Sequence, residues 1–180
     1  LQGRDEGALV TYIAAGDPSL EDTYELSLAL DEAGVDVLEL GMPFSDPVAD
    51  GPTIQAACQR AIAAEATPDA VLDVVRRIRV SSPDLPIVIM TYLNLVHRYG
   101  YKRFACDASA VGVDGVLISD LPVHAADEWL RECRACDVDP VFLVAPTSRP
   151  ETLARVGEVS TGFVYCVARA GTTGARSALP

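Results

Sequence analysis

The stretch Val35-Asp-Val-Leu-Glu-Leu-Gly-Met-Pro-Phe-Ser-Asp-Pro-Val-Ala-Asp-Gly-Pro-Thr-Ile54 decides the fold. It begins as a short apolar strand over Val35 to Leu40, with one acid, Glu39, set among residues that belong in a core. Gly41 and Pro43 break the strand, and the loop that follows carries two more acids, Asp46 and Asp50. A carboxylate near the C-terminal end of a strand, facing others on the next loop, is the layout of an α/β active site.

Outward from this stretch, apolar strand-like runs alternate with amphipathic ones. Upstream, Ala8 to Ala14 is rich in branched residues and reads as the first strand, stopped by Gly16-Asp-Pro-Ser. Ser19 to Ala33 then carries Leu20, Tyr24 and Leu28 at helical spacing, and Gly34 is placed as a C-terminal cap. Downstream, Thr53 to Ala63 is an alanine-rich helix. Thr67-Pro68 opens a second helix running to about Arg79, a capping threonine followed by proline at the first helical position. Pro86 to Tyr92 is a third strand without alternation, as expected when both faces are buried in a parallel sheet. Two short helical pieces follow around Gly100. Gly115 to Ser119 is the fourth strand, Ala125 to Cys136 a helix, Pro140 to Val144 the fifth strand, Glu151 to Glu158 a helix begun near Ser148, and Gly162 to Val167 the sixth strand.

These are six strand–helix steps of roughly thirty residues each, joined by short connections. Repeated crossovers of this kind demand a parallel sheet, either doubly wound or closed as a barrel. No Gly-x-Gly-x-x-Gly follows the first strand, which weakens the dinucleotide-binding alternative. A TIM (β/α)8 barrel typically needs about 250 residues. The reading is therefore a single barrel-type domain over residues 1–180, about six βα units with the last two absent.

Composition bounds the function. With 180 residues and 49% hydrophobic content, the chain can bury one sizeable core. No apolar run approaches the ~20 residues of a membrane span, and Leu1-Gln-Gly-Arg-Asp-Glu6 has no signal-peptide pattern, so a soluble, cytoplasmic protein is expected. The formal charge of −12, with Lys102 the single lysine, argues against a nucleic-acid surface. Five scattered cysteines argue against a disulfide framework. The Cys133-x-x-Cys136 pair reads as the middle of a helix, with no second pair or histidine nearby to complete a metal site. His97 and His124 stand isolated and read as surface residues.

Glu39-Leu-Gly-Met-Pro-Phe-Ser-Asp-Pro-Val-Ala-Asp-Gly-Pro-Thr-Ile-Gln55 closely resembles the signature of the tryptophan synthase α subunit family. Gly16-Asp-Pro18, Met90-Thr-Tyr-Leu-Asn94, Gly112-Val-Asp-Gly115, Asp120-Leu-Pro122 and Arg169-Ala-Gly-Thr-Thr-Gly174 are similar to its other loops, in order. The resemblance implies an aldolase-type lyase that splits indole-3-glycerol phosphate into indole and glyceraldehyde 3-phosphate. It implies Glu39 as general acid/base and Asp50 as the anion that stabilises the ring N–H. Tyr12, Tyr92, Leu117, Leu143 and Tyr165 are implied as the lining of the indole pocket, Thr173 as part of a closing sixth loop, and Gly174 as a phosphate-cradling residue. No cofactor is implied in this chain. A partner β subunit holding pyridoxal phosphate is implied, in an α2β2 heterotetramer.

Beside that resemblance, the residues alone leave alternatives open. A carboxylate at a strand end can equally cap a helix or pair with an arginine. Asp46 and Asp120, each in a turn with proline, read as structural acids that satisfy loop N–H groups. Apolar and aromatic residues on strands usually form core. The seventh and eighth units that the family uses for most of its phosphate site do not occur before Pro180, so the first and sixth strands are expected as exposed edges. Two other functions stay open: a different phosphosugar barrel enzyme, and a catalytically weak module that binds and activates the β subunit. Lys102 is not at a strand end, which argues against Schiff-base chemistry.

Overall fold

A computed structural model describes residues 7–168. Six strands alternate with helices: β1 (Val10–Ala14), α1 (Leu20–Glu32), β2 (Val37–Gly41), α2 (Pro52–Ala63), α3 (Pro68–Ser81), β3 (Ile87–Thr91), α4 (Leu93–Tyr99), α5 (Tyr101–Val111), β4 (Gly115–Ile118), α6 (Asp127–Cys136), β5 (Asp139–Val144), α7 (Pro150–Val159) and β6 (Val164–Cys166). A single 3-10 turn, Val123–Ala125, leads into α6. Every strand pair is parallel, and the spatial order is the chain order, β1 to β6.

That order settles the topology. A doubly wound sheet must reverse direction once, whereas an unreversed run of right-handed crossovers puts all helices on one face. The sheet twists and curls away from them into an open half-barrel. Its two faces have separate apolar clusters. Between sheet and helices lie Leu38, Leu40, Ile87, Ile89, Val116 and Phe142, packed on Val71, Val75 and Ile78 of α3, Phe104 of α5 and Trp129 of α6. On the inner, concave face Val37, Val88, Leu117 and Val141 cluster with Met90, Leu143, Phe163 and Tyr165. All five β2 residues are buried, while β1 is largely half-exposed, β6 is largely exposed, and each pairs on one side only among the described residues.

The local signals act as their chemistry dictates. The Ser19 side chain accepts the Asp22 N–H at 3.0 Å, and Thr67 accepts the Ala70 N–H at 3.2 Å ahead of Pro68. Gly34, at φ +87°, closes α1 in a Schellman arrangement, with its own N–H on the Asp31 carbonyl and that of Val35 on Leu30. Ser148 does something other than start α7. Its hydroxyl accepts the Ala145 N–H at 2.9 Å and closes the preceding turn, while Arg149 occupies the cap position.

The cysteine reading needs one correction. Cys106 of α5 and Cys136 of α6 are joined in a disulfide with Cα atoms 5.0 Å apart, leaving Cys133 as a buried free thiol. The partners lie 30 residues apart, and only the packing of α5 on α6 brings them together. Spacing along the chain carries no trace of that contact.

Candidate active site

Glu39 is the middle residue of β2, and its register partners are Tyr12 on β1 and Val88 on β3. Alternation along the strand turns Leu38 and Leu40 to the helices and Glu39 to the concave face. It is 2% exposed, and its Oε1 is buried without a hydrogen-bond partner among the described residues. Burial disfavours the charged form and pushes the carboxyl up to about 7. A buried, unpaired acid is an expensive feature for a core and a useful one for proton transfer.

Asp50 ends the β2–α2 loop. Its N–H donates to the Pro47 carbonyl at 3.0 Å, and its own carbonyl accepts from the Gln55 side chain at 2.9 Å, which locks the loop onto α2. The Tyr92 hydroxyl, just beyond β3, donates to Asp50 Oδ2 at 2.7 Å and accepts the Ala49 N–H at 3.2 Å. Tyr92 is buried, with its ring 5.2 Å from that of Phe44. Burial first, and the Asp50 carboxylate second, raise its phenol well above the usual tyrosine range, so Tyr92 is a donor at every physiological pH.

Tyr12 lies across Gly41, where a Cβ would stand 2.1 Å from the phenol oxygen. Only glycine fits there. Burial, then the nearby Cys58, Asp50 and Glu39, hold the Tyr12 phenol protonated. Tyr165 on β6 is likewise raised, by burial and then by Glu39. The structure thus brings Glu39, Asp50, Tyr12, Tyr92 and Tyr165 to one mouth of the half-barrel, with Leu117 and Leu143 on the same concave face, Leu143 in register with Tyr165 and Leu117 level with Gly41. Thr173 and Gly174 lie outside the described residues.

The remaining acids sort by their contacts. Asp120 Oδ1 accepts the Leu93 N–H at 2.6 Å, satisfying the first turn of α4, a structural role. Asp46 is exposed. Its carboxylate takes the Ser45 hydroxyl at 2.5 Å rather than a loop N–H, and the Val48 N–H goes to its carbonyl. His97 and His124 are exposed. No group of three or more His, Cys, Asp or Glu residues among those described is arranged to hold a metal ion.

Sequence reasoning missed several residues of the inner face. Val88, Met90, Val141 and Phe163 all belong to it, and Met90 and Val141 stand two residues from Tyr92 and Leu143. The period-two rule for strands was the signal that finds them. It also missed Cys58, buried on α2 beneath the acid loop, toward which Phe44 donates its backbone N–H.

The model of the tryptophan synthase alpha chain family matches residues 1–180. The chain belongs to that family. A tryptophan synthase alpha chain from Pelobacter propionicus is 51% identical over 176 residues, covering 98% of this chain and 66% of that one. Among solved structures, Mycobacterium tuberculosis tryptophan synthase superposes with a TM-score of 0.89 at 40% identity, covering 95% of this chain and 66% of that one. A chain of the tryptophan synthase α2β2 complex of Pyrococcus furiosus gives 0.84 at 42% identity, covering 88% and 67%. The chain therefore spans about two thirds of the length of the tryptophan synthase relatives it matches.

Proposed function

We propose that this chain performs the α-subunit reaction, the retro-aldol cleavage of indole-3-glycerol phosphate to indole and glyceraldehyde 3-phosphate. It is thereby a carbon–carbon lyase of tryptophan biosynthesis working in the cytoplasm. The observation that carries the reading is Glu39, an acid whose buried oxygen has no partner among the described residues and whose proton affinity sits near neutrality, set against an apolar concave face. An acid poised near 7 both gives and takes protons at working pH.

The chemistry follows from proton and electron balance. Glu39 delivers a proton to the indole carbon that bears the side chain, and the ring nitrogen becomes positive. Asp50, held by Tyr92, stands as the anion for that N–H. The side-chain hydroxyl next to the ring then loses its proton, its oxygen becomes the aldehyde carbonyl, and the carbon–carbon bond breaks. The bonding electrons return to the ring as neutral indole. The proton given equals the proton taken, so one carboxyl returns to its starting state. The sequence is redox-neutral and asks for no electron sink. Tyr12, Tyr92, Leu117, Leu143 and Tyr165 supply the apolar walls, and Thr173 and Gly174 are proposed for loop closure and the phosphate.

The proposed partner is a pyridoxal phosphate-bearing β subunit, in an α2β2 assembly like that named for the Pyrococcus structure. The test is indole release from indole-3-glycerol phosphate by the full chain and its Glu39→Gln form. Loss of a positioned proton donor lowers the rate about 10²- to 10⁴-fold. No indole from the parent chain, or undiminished release from Glu39→Gln, overturns the reading.

A further inference from the structure

We propose that Cys106 and Cys136 form a reversible thiol–disulfide site that reacts with low-molecular-weight disulfides and thiols, with Cys106 the sulfur that reacts first. The pair bridges α5 and α6, on the outer side of the half-barrel and away from the acid loop. Both sulfur-bearing residues are half-exposed, whereas Cys133, one turn earlier on α6, is fully buried and its thiol is pushed up to about 12 by that burial. Cys133 is therefore silent in exchange, and the chemistry belongs to the other two.

The two partners differ in access to the surface groove and to a cation unpaired among the described residues. Cys106 lines an open groove between α5 and α6 with Tyr101, Lys102, Arg103, Glu128 and Glu132. Lys102 and Arg103 sit four and three residues before Cys106, on the same face of α5. Arg103 is engaged with Asp69 and Asp107, while Lys102 makes no ion pair among the described residues and is left to the groove. Each cysteine is followed directly by an aspartate, Asp107 and Asp137, and Glu132, four residues before Cys136, also faces the groove, but only Cys106 of the pair lines that groove beside Lys102. A small disulfide reaches Cys106 through the groove, and the unpaired Lys102 beside it favours its thiolate, so Cys106 is the sulfur that exchanges first.

The exchange balances. Beginning from the dithiol, the Cys106 thiolate attacks one sulfur of a disulfide RSSR, forming Cys106–S–SR and releasing RS⁻. Cys136 gives its proton to solvent and attacks the Cys106 sulfur, forming the bridge and releasing the second RS⁻. The protein loses two electrons and RSSR gains them, leaving as two RSH once protonated. Two equivalents of RSH run the same steps backward. The groove is the entry path, and its lysine suits a thiol that carries carboxylates.

The experiment places the full chain in reduced and oxidised glutathione mixtures, quenches with acid, alkylates with iodoacetamide and maps the labelled peptides. The expected result is that Cys106 and Cys136 lose and regain label together, while Cys133 stays unlabelled until the chain is unfolded. Cys136→Ser traps glutathione on Cys106, and Lys102→Ala slows that trapping several-fold. A pair that stays alkylatable in oxidised buffer, or stays closed in excess reduced thiol, overturns the proposal. So does faster trapping on Cys136 in Cys106→Ser. The parent chain's labelling pattern decides the matter even where a variant does not fold.

Discussion

At the scale of single residues, Glu39 makes the sharpest demand on the fold. Its carboxyl moves from an ordinary 4.5 to about 7 because burial opposes the charge. Between those two values the folded chain holds a proton that the unfolded chain has released. Stability from this group is therefore present below about pH 4.5 and is lost as pH rises through about 7, an effect on the order of 3 kcal/mol. The Glu39→Gln chain lacks that slope. Urea unfolding at pH 5 and pH 8 should show the parent losing stability relative to the variant at the higher pH, and parallel profiles would remove the burial argument. Gly41 is the second such position. Its missing Cβ makes room for the Tyr12 phenol, so Gly41→Ala should cost about 1 to 3 kcal/mol by overpacking. Combined with Tyr12→Ala, the two losses should fail to add, which a double-mutant cycle measures. Glu39 was legible in sequence because an acid inside an apolar strand breaks the pattern. The Tyr12–Gly41 contact was not, because it depends on the register of β1 against β2.

At the scale of elements, sequence patterns located nearly everything because each signal is local. Caps at Ser19 and Thr67, the Gly34 terminus and the branched runs of the strands act within a few residues of themselves. What escaped was contact between elements. The α5–α6 bridge is the clearest case, since its cysteines are unremarkable until the helices pack. Closing a ring across 30 residues restricts the unfolded chain by about 3.6 kcal/mol in the chain-entropy account. For a chain of this length that is about 7 to 14 °C in Tm. Melting followed by circular dichroism with and without reductant should show a drop of this size, and the double variant Cys106→Ser/Cys136→Ser should melt with the reduced parent. Equal melting in both buffers would mean the bridge contributes nothing to stability.

At the scale of the whole molecule, the consecutive strand order leaves two rims among the described residues. Among the described residues β1 and β6 each have one neighbour, and apolar side chains stand beside them: Leu9 at 58% exposure, Val10 at 42% and Val164 at 37%. Unpaired parallel edges of this kind template association. The opposing force is charge, since a formal −12 on every chain repels its copies. Repulsion between surface charges fades as the screening length falls from about 10 Å at 0.1 M salt to about 3 Å at 1 M, whereas apolar burial does not weaken. The balance therefore tips toward association as salt rises. Sedimentation velocity at fixed protein concentration should show larger species growing from low to high sodium chloride. Val10→Glu and Val164→Glu, which add charge and remove apolar area at the rims, should move the chain back toward monomer at each salt. A monomer at every salt and concentration would mean that both rims are protected by something other than charge.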